Sequence, residues 1–299
     1  MIDIAILTPI ELEYTYLASL LKDREHISAT SPHRYERGHI PNSKKPLSAV
    51  ITLSGSKTVD IALATNRIID QFNPSIVLLA GIAGGVKDVD IGDIVIGTKA
   101  YGYESGKATE ETFLVRPEVL PYDRDLIEFA RLVVREDRWR NPRQASSNTK
   151  VIFGPIASGD KLIASSNGTV NQLLKNSYND TTALEMEAIG FAKAVAGFRD
   201  VRAMNIRGIS DLLGNKTLTD QQGGQHVALE NLTTFLMDLL YKINIEEFSK
   251  GTPPNQPATH NDSSAPKNPG GSIKNAITGG NVTAGGNIYI GNISTSQQS

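Results

Sequence analysis

The sequence predicts an α/β protein of three layers, in which helices cover both faces of a central, mostly parallel (mixed) β-sheet. Two observations support this prediction: short runs rich in valine and isoleucine, too short for buried helices, alternate with stretches whose apolar residues lie three and four positions apart. Sheets of this kind bind ligands at the carboxyl ends of their strands. Functional residues are therefore expected directly after each strand.

The predicted strands are Ile2–Leu7, Leu47–Leu53, Ile76–Ala80, Asp93–Gly97, Val151–Ile156 and Val201–Arg207. The predicted helices are Thr58–Phe72, Asp123–Arg135, Gly168–Asn176, Glu187–Ala196 and Gln225–Phe248. Another helix is expected after the first strand, with Thr8 as its N-cap, Pro9 at its first position and Glu11 completing a capping box. Glu13 then lies about 200° around that helix from Glu11 and can face the strand ends, unless it is a surface residue of the first turn.

Charge and composition exclude several classes of protein. The chain has 299 residues and a formal net charge of −2, which disfavours nucleic acid as a partner. No apolar run reaches the ~18 residues that would span a bilayer, so no membrane partner is expected. The sequence has no cysteine, which excludes disulfides, thiolate metal sites and a cysteine nucleophile. The N-terminus lacks the pattern of a signal peptide, so we expect a cytoplasmic protein.

The composition changes sharply near Lys250. Beyond this residue glycine, asparagine, serine, threonine and proline dominate, and only three residues carry a formal charge. We predict a catalytic domain over 1–250 and a flexible linker over 251–269, because its prolines and polar residues build neither helix nor sheet.

The tail, residues 270–299, contains an internal repeat. Segments that begin at Ile277, Val282 and Ile288 each end in Asn, with a period of five to six residues. Short β-prone segments with asparagine and almost no charge can stack between chains, so the tail is a candidate amyloid-like assembly motif, weakly similar to signalling motifs of microbial immune proteins. The alternative is a disordered Gly/Asn-rich tail without such a role.

Small residues follow one predicted strand and carboxylates follow others. The run Gly81-Ile82-Ala83-Gly84-Gly85 is interpreted as a tight turn that lets a ligand approach the backbone. It matches neither a Walker loop nor the dinucleotide-binding fingerprint. Acidic clusters occur at Glu185-Met186-Glu187 and at Ser210-Asp211, where strands give way to other structure.

Taken in order, these motifs resemble the nucleoside phosphorylase and nucleosidase superfamily over roughly residues 1–245. The segments that carry the resemblance are Ala83-Gly84-Gly85 followed by Gly92-Asp93-Ile94-Val95, then Ser158-Gly159-Asp160, Glu185-Met186-Glu187-Ala188 and Arg207-Gly208-Ile209-Ser210-Asp211. The similarity is greatest to the methylthioadenosine/S-adenosylhomocysteine nucleosidase branch. The segment 101–118 also resembles variant domains that serve as effectors in microbial immune systems, some of which attack nucleotides such as ATP.

The resemblance implies roles for individual residues. Glu13 would activate the attacking water, and Asp211 would protonate purine N7. The substrate-binding residues would be Ala83, Gly84, Leu162, Ile163, Met186, Glu187, Arg207 and Ser210: Glu187 would hold the ribose hydroxyls, Met186 would pack on the sugar, and the backbone of Ile163 would read the purine edge. Arg207 and Ser210 would support Glu13 and the water. Glu185 and Asp160 belong to the motifs, either as ligand contacts or as structural residues.

The chemistry of glycosidic cleavage agrees with one acid and one base. The leaving purine departs more easily once protonated, and the ribose develops oxocarbenium character. An ordinary aspartate is ionised at pH 7, so Asp211 can donate a proton only where burial or hydrogen bonding raises its pKa. The alternative for Asp211 is a helix cap. No metal or organic cofactor is implied.

Departures from the family pattern bear on the nucleophile and the substrate. Leu79 stands where the phosphorylases of the superfamily carry an arginine for phosphate, which favours water. Ile82 and Leu162 stand where the methylthioadenosine branch usually has a serine and a stacking aromatic residue, and this weakens the assignment of that substrate.

The sequence therefore predicts a purine nucleoside or nucleotide N-glycosidase, with a preference for an adenine nucleotide such as ATP. Arg116, Arg124 or Lys161 could meet phosphates, or be surface cations. The alternatives are a methylthioadenosine/S-adenosylhomocysteine nucleosidase, a phosphate-dependent phosphorylase, and a non-catalytic nucleotide-sensing module. The expected partners are the small-molecule substrate, further copies in a homodimer or higher homo-oligomer, and a protein with a matching tail motif.

Overall fold

A mixed β-sheet forms the middle layer of the protein in the computed structural model, which describes residues 2–27, 34–110, 113–136, 149–161, 168–213 and 223–249. The strands are β1 Ile4–Thr8, β2 Lys22–Ile27, β3 Tyr35–Ile40, β4 Leu47–Leu53, β5 Ile76–Gly85, β6 Ile94–Gly102, β7 Gly106–Ala108, β8 Phe113–Val115, β9 Glu118–Pro121, β10 Val151–Ser158, β11 Ala183–Glu185 and β12 Arg202–Leu212. The helices are α1 Glu11–Leu17, α2 Thr58–Phe72, α3 Arg124–Glu136, α4 Thr169–Ser177, α5 Ala188–Val195 and α6 Gly224–Lys242, with 3-10 turns at Ala18–Leu20 and Ile245–Glu247.

The main sheet has the strand order β11-β10-β6-β12-β5-β1-β4-β3-β2, and β9 pairs with β6. Strands β4, β1, β5 and β12 run parallel to one another, whereas β6 runs antiparallel to β12 and parallel to β10. Strand β11 pairs with β10 on one side and returns to pair with the end of β5 on the other. Strands β5, β12, β6, β10 and β11 therefore form a closed ring.

Helices bury both faces of the central strands. All five residues of β1 are buried, as are the first six of β5, because these strands consist almost entirely of apolar side chains. Helix α2 packs on α5, and α6 packs along β12 with α3 beside it. The predicted α/β class is confirmed, and the described residues belong to one compact unit.

Two predicted elements have the observed bounds, β4 and α2, and β1, β10, α3, α4 and α5 differ by one or two residues at their ends. Strands β5, β6 and β12 each continue five residues beyond the predicted end. Strands β2, β3, β7, β8, β9 and β11 were not predicted, since each is short or rich in polar residues. The last helix ends at Lys242 rather than continuing to Phe248, because Ile243 adopts an extended backbone.

The predicted turn over Gly81–Gly85 is wrong, because β5 continues through Gly85. These small residues remain extended since β12 pairs with them on one side and β11 pairs with the last two. The strand neighbours supply the hydrogen bonds that a turn would have made locally.

Two regions of the sequence interpretation lie outside the described residues. They are the substrate-binding candidates Leu162 and Ile163, and the linker and tail beyond residue 250. Among the helices of the described ranges, none combines the length and apolarity needed to cross a membrane.

Candidate active site

The candidate residues converge at the carboxyl ends of three parallel strands. Helix α1 follows β1 and carries Glu13; Ala83 and Gly84 lie near the end of β5; and β12 carries Arg207 and Asp211 toward its end. Because β1, β5 and β12 are parallel neighbours, these ends lie at one edge of the sheet.

Glu13 is buried, and its carboxylate is held by the main chain. Its Oε2 accepts the N–H of Ile10 at 2.9 Å and its Oε1 accepts the N–H of Ile82 at 2.8 Å. The prediction that Thr8 caps this helix and Glu11 completes the capping box is wrong. Thr8 is still paired within β1, so the helix begins two residues later and Glu13 bonds the N-cap residue instead.

Gly81 in β5 makes room for this carboxylate. A Cβ built on Gly81 would lie 2.6 Å from Cδ of Glu13 and 2.8 Å from Nη1 of Arg207, closer than real Cβ contacts occur. Any side chain at this position would displace both charged groups. Glycine is required here for close approach rather than for a turn.

Arg207 lies at the centre of three carboxylates and is fully buried. Its Nη2 donates to Glu185 at 2.5 Å and to Glu187 at 3.4 Å, and its Nη1 lies 3.9 Å from Oε1 of Glu13. Its Nε donates to the side chain of Asn205 at 2.9 Å. Burial lowers the pKa of Arg207, but the three carboxylates raise it above its ordinary value, so the group remains cationic.

Glu185 organises the segment that carries Glu187. One of its oxygens accepts the N–H of Glu187 at 2.9 Å and the other accepts the N–H of Ala188 at 2.7 Å. Burial raises the pKa of Glu185, and the adjacent Arg207 opposes this effect. Because Glu185 binds the N–H groups of Glu187 and of the first residue of α5, and Arg207 besides, we interpret it as a structural residue that positions Glu187.

Glu187 is buried between the main chain and Arg207. Its Oε1 accepts the N–H of Lys57 at 3.1 Å, and its Oε2 faces Arg207. It immediately precedes α5, and Met186 beside it is half-buried.

The pKa of Glu13 is raised from 4.5 to about 7, chiefly because the carboxylate is desolvated. Arg207 and the N–H groups of Ile82 and Ile10 oppose that rise, and the charge of Glu187 adds to it. A carboxylate with a pKa near neutrality is suited to general-base catalysis, since it is ionised for part of the time and still binds a proton well.

Asp211 lies in β12 at a register shift between Ile209 and Asp211, so the alternative of a helix cap does not hold. It is buried, and its Oδ1 accepts the hydroxyl of Ser210 at 2.7 Å. A Cβ on Gly84 would lie 3.4 Å from its Oδ2. Asp211 thus lies beside Gly84, whereas Glu13 lies beside Gly81. These two glycines are three residues, or roughly 10 Å, apart along β5.

The predicted phosphate-binding cations differ in position. Lys161 is exposed, and its Nζ pairs with Glu104 at 3.1 Å. Arg124 begins α3 next to Asp123, which pairs with Arg202 at the opposite end of β12 from Asp211, so Arg124 is not brought to this edge of the sheet. The structure leaves Arg116 exposed after β8.

Asp160 has a structural contact. Its Oδ1 accepts the N–H of Thr58, the first residue of α2, at 2.9 Å, and its own N–H donates to Oε2 of Glu104 at 2.8 Å. These bonds tie the end of β10 to the beginning of α2, next to the main chain that binds Glu187.

Sequence reasoning missed Asn205 and the main chain of Lys57, and it interpreted Gly81 as part of a turn. For Gly81 a signal existed, because glycine within a buried strand indicates close approach of another group. Asn205 lies in the middle of an apolar strand, where a buried polar residue indicates a specific partner. For Lys57 the residue type gave no signal.

Most of the chain matches one protein family. The family is the phosphorylase superfamily, and the match covers residues 3–240. The 5′-methylthioadenosine/S-adenosylhomocysteine nucleosidase of Staphylococcus carnosus is 32% identical over 221 residues, which are 70% of this chain and 86% of that protein. The protein of the same name from Psychromonas ingrahamii is 28% identical over 205 residues, which are 65% of this chain and 81% of that protein.

Solved structures share the fold. The nucleosidase of that name from Neisseria meningitidis, in complex with methylthio-immucillin-A, has a TM-score of 0.65 and 24% identity, and the match covers 81% of this chain and 99% of that one. Futalosine hydrolase of Helicobacter pylori has a TM-score of 0.64 and 20% identity, with 80% and 97% of the two chains covered.

Proposed function

The chain belongs to the phosphorylase superfamily, and from that premise we propose that it is an N-glycosyl hydrolase of purine nucleosides or nucleotides. The products are the free base and the sugar or sugar phosphate. The curated relatives reported above are nucleosidases by name, which supports this reaction class.

The observation that carries the proposal is the arrangement of Glu13 and Asp211. Both carboxyl groups are buried near the carboxyl end of β5, Glu13 beside Gly81 and Arg207, and Asp211 beside Gly84 and Ser210.

In the proposed reaction Glu13 takes a proton from water while the water oxygen forms a bond to C1′ of the ribose. The bond between C1′ and the purine nitrogen breaks, and its electron pair passes to the base. Asp211 donates a proton to purine N7, so the base leaves as a neutral molecule. Each step is a proton transfer or a displacement at carbon.

The remaining residues position the sugar and base. Glu187 accepts the ribose hydroxyls, Met186 packs against the sugar, and the small residues Ala83 and Gly84 let the ligand reach the main chain of β5. Arg207 keeps Glu13 and Glu187 in place. The roles of Leu162 and Ile163 stay predictions of the sequence.

Water is the nucleophile in this proposal rather than phosphate. Leu79 is fully buried inside β5, so it offers no charged group to a phosphate ion at the position where the phosphorylases carry an arginine. A phosphorylase, the first alternative, would need a different group to hold that anion.

The test is chromatographic detection of free adenine after incubation with adenosine, methylthioadenosine, S-adenosylhomocysteine and ATP, with and without phosphate. We expect base and free sugar at equal rates in both conditions. Strict dependence on phosphate, with a sugar 1-phosphate as product, would assign a phosphorylase. Binding of these compounds without release of adenine would assign the sensing module, which the set of Glu13, Glu187 and Asp211 argues against.

Among substrates we favour a phosphorylated adenine nucleotide, and among biological roles that of an effector in a microbial defence system. The preference rests on the departures at Ile82 and Leu162 and on the resemblance of segment 101–118 to effector domains. Robust cleavage of methylthioadenosine with no action on ATP would assign the nucleosidase branch instead.

Assembly remains a proposal from the sequence. We expect a homodimer or higher homo-oligomer, and we expect the tail over 270–299 to join copies of this chain or to pair with a matching motif on another protein. A peptide of these residues should form thioflavin-positive fibrils. A peptide that stays monomeric at high concentration would leave the tail without this role.

A further inference from the structure

Lys57 occupies a backbone conformation that lysine rarely adopts. Its φ is +84° and its ψ is 161°, in a region populated almost only by glycine. Glycine at this position would relieve the strain, yet the chain carries the long cationic side chain there. Such outliers persist where the surroundings fix them, and they concentrate at functional sites.

Two carboxylates bind successive N–H groups of this strained segment. The N–H of Lys57 donates to Oε1 of Glu187 at 3.1 Å, and the N–H of the next residue, Thr58, donates to Oδ1 of Asp160 at 2.9 Å. Lys57 therefore lies one hydrogen bond from the carboxylate that we assign to the ribose. A shift of its backbone would change the position of that carboxylate.

The side chain of Lys57 is exposed, and within the described residues no carboxylate lies within 4.0 Å of its ammonium group. The other nearby lysine differs, because Lys161 is paired with Glu104. Because the main chain of Lys57 is bonded to Glu187, its ammonium group, on a flexible four-carbon stem, is available to an anionic group of a ligand bound there.

We propose that Lys57 is the specificity residue for a phosphorylated nucleoside, with its ammonium group binding a phosphate of the substrate whose ribose contacts Glu187. The inference rests on the proposed function and names the substrate class for the same site. It assigns the phosphate contact to a residue other than Lys161, Arg116 or Arg124. A neutral nucleoside would gain nothing from this cation.

The experiment compares AMP and ATP with adenosine, which has the same base and ribose but no phosphate. The variant Lys57→Met keeps the apolar stem and removes the charge, and Lys57→Arg keeps the charge. We expect Lys57→Met to lose about tenfold or more in kcat/KM for AMP and ATP, with adenosine changed less than about twofold. Lys57→Arg should retain most of the activity on both nucleotides.

Two further variants separate charge from structure. Lys57→Gly should show the same loss on nucleotides while raising the Tm, because glycine relieves the strained φ. Lys44→Met is the matched control, an exposed lysine before β4, at the end of the sheet away from Glu13. It should leave nucleotide and adenosine kinetics unchanged.

Outcomes for the two proposals are distinct. Equal losses on adenosine and AMP, or no loss on either, would overturn the role of Lys57 while leaving the hydrolase intact. If the wild-type protein cleaves adenosine but neither AMP nor ATP, the role of Lys57 is likewise overturned and the hydrolase stands. If no substrate is cleaved, calorimetric binding of AMP still decides, since the proposal requires Lys57→Met to bind it about tenfold more weakly.

Discussion

The two halves of the candidate site are built differently. On the Glu13 side, three buried carboxylates surround one guanidinium, and each is bonded to main-chain N–H groups as well. On the Asp211 side, a buried carboxyl group has one hydroxyl partner, Ser210, among the bonds of the described side chains. The residues of the Glu13 side therefore contribute both to the candidate site and to the stability of the fold. The residues of the Asp211 side contribute little to that stability. The variants below test this contrast, ranked by the expected change in the free energy of unfolding.

Replacing Arg207 by methionine should have the largest effect. The change leaves Glu13, Glu185 and Glu187 buried without their cation, and breaking a buried ion pair typically costs about 3–5 kcal/mol. Denaturant unfolding should show the loss, together with loss of turnover. The control is Arg202→Met, whose partly exposed pair with Asp123 should cost less than about 1 kcal/mol. Similar costs for the two variants would contradict the contrast between the halves.

Glu13→Gln should stabilise the protein at pH 8 while abolishing turnover. The pKa of Glu13 rises from 4.5 in the unfolded chain to about 7 in the fold, so its contribution to stability is fully present below pH 4.5 and is lost as the pH rises through 7. Above pH 7 the buried charge costs about 3 kcal/mol, which glutamine avoids.

The measurement for this variant is the difference in unfolding free energy between wild type and Glu13→Gln from pH 4 to pH 8. It should be near zero at the acid end and grow between pH 5 and 7. A difference that does not change with pH would show that Glu13 has an ordinary pKa in the fold.

The substitutions Gly81→Ala and Gly84→Ala test the Glu13 side and the Asp211 side of the site on one strand, β5. A methyl group at Gly81 would press on Glu13 and Arg207, and overpacking of this kind costs about 1–3 kcal/mol. At Gly84 the nearest atom is Oδ2 of Asp211 at 3.4 Å, an ordinary contact, so the thermal midpoint should change little. Equal destabilisation by both substitutions would count against the close approach at Gly81.

Asp211→Asn should change stability least and kcat strongly. The variant keeps the size of the side chain and can still accept the hydroxyl of Ser210, so the unfolding free energy should stay within about 1 kcal/mol of wild type. Loss of the proton donor should reduce kcat on purine nucleosides by about 10²–10⁴-fold. Near-native turnover, measured by release of adenine, would refute the acid assignment.

Periodicity predicted the layers of the fold, and the motif order predicted which residues meet at the strand ends. Neither signal could predict that β5 continues through Gly85, because the strands that keep it extended, β11 and β12, come far later in the chain. Local capping rules predicted Glu11 as the residue of the capping box for the same reason. The carboxylate that is fixed is that of Glu13, by the N–H of Ile82, which is distant in sequence. The strained φ of Lys57 depends on Glu187 and Asp160 and has no local signal.

The closed ring of strands has a consequence for biosynthesis. Its closure pairs Ile76 in β5 with Arg202 in β12, and Gly85 with Ala183 in β11, so these contacts join segments made at very different times. Topologies dominated by such contacts fold slowly, because loop closure precedes the stabilising pairing. A nascent chain shorter than about the first 212 residues lacks Arg207 and Asp211 on a paired strand. A nascent chain therefore has no assembled candidate site until most of its residues have emerged from the ribosome.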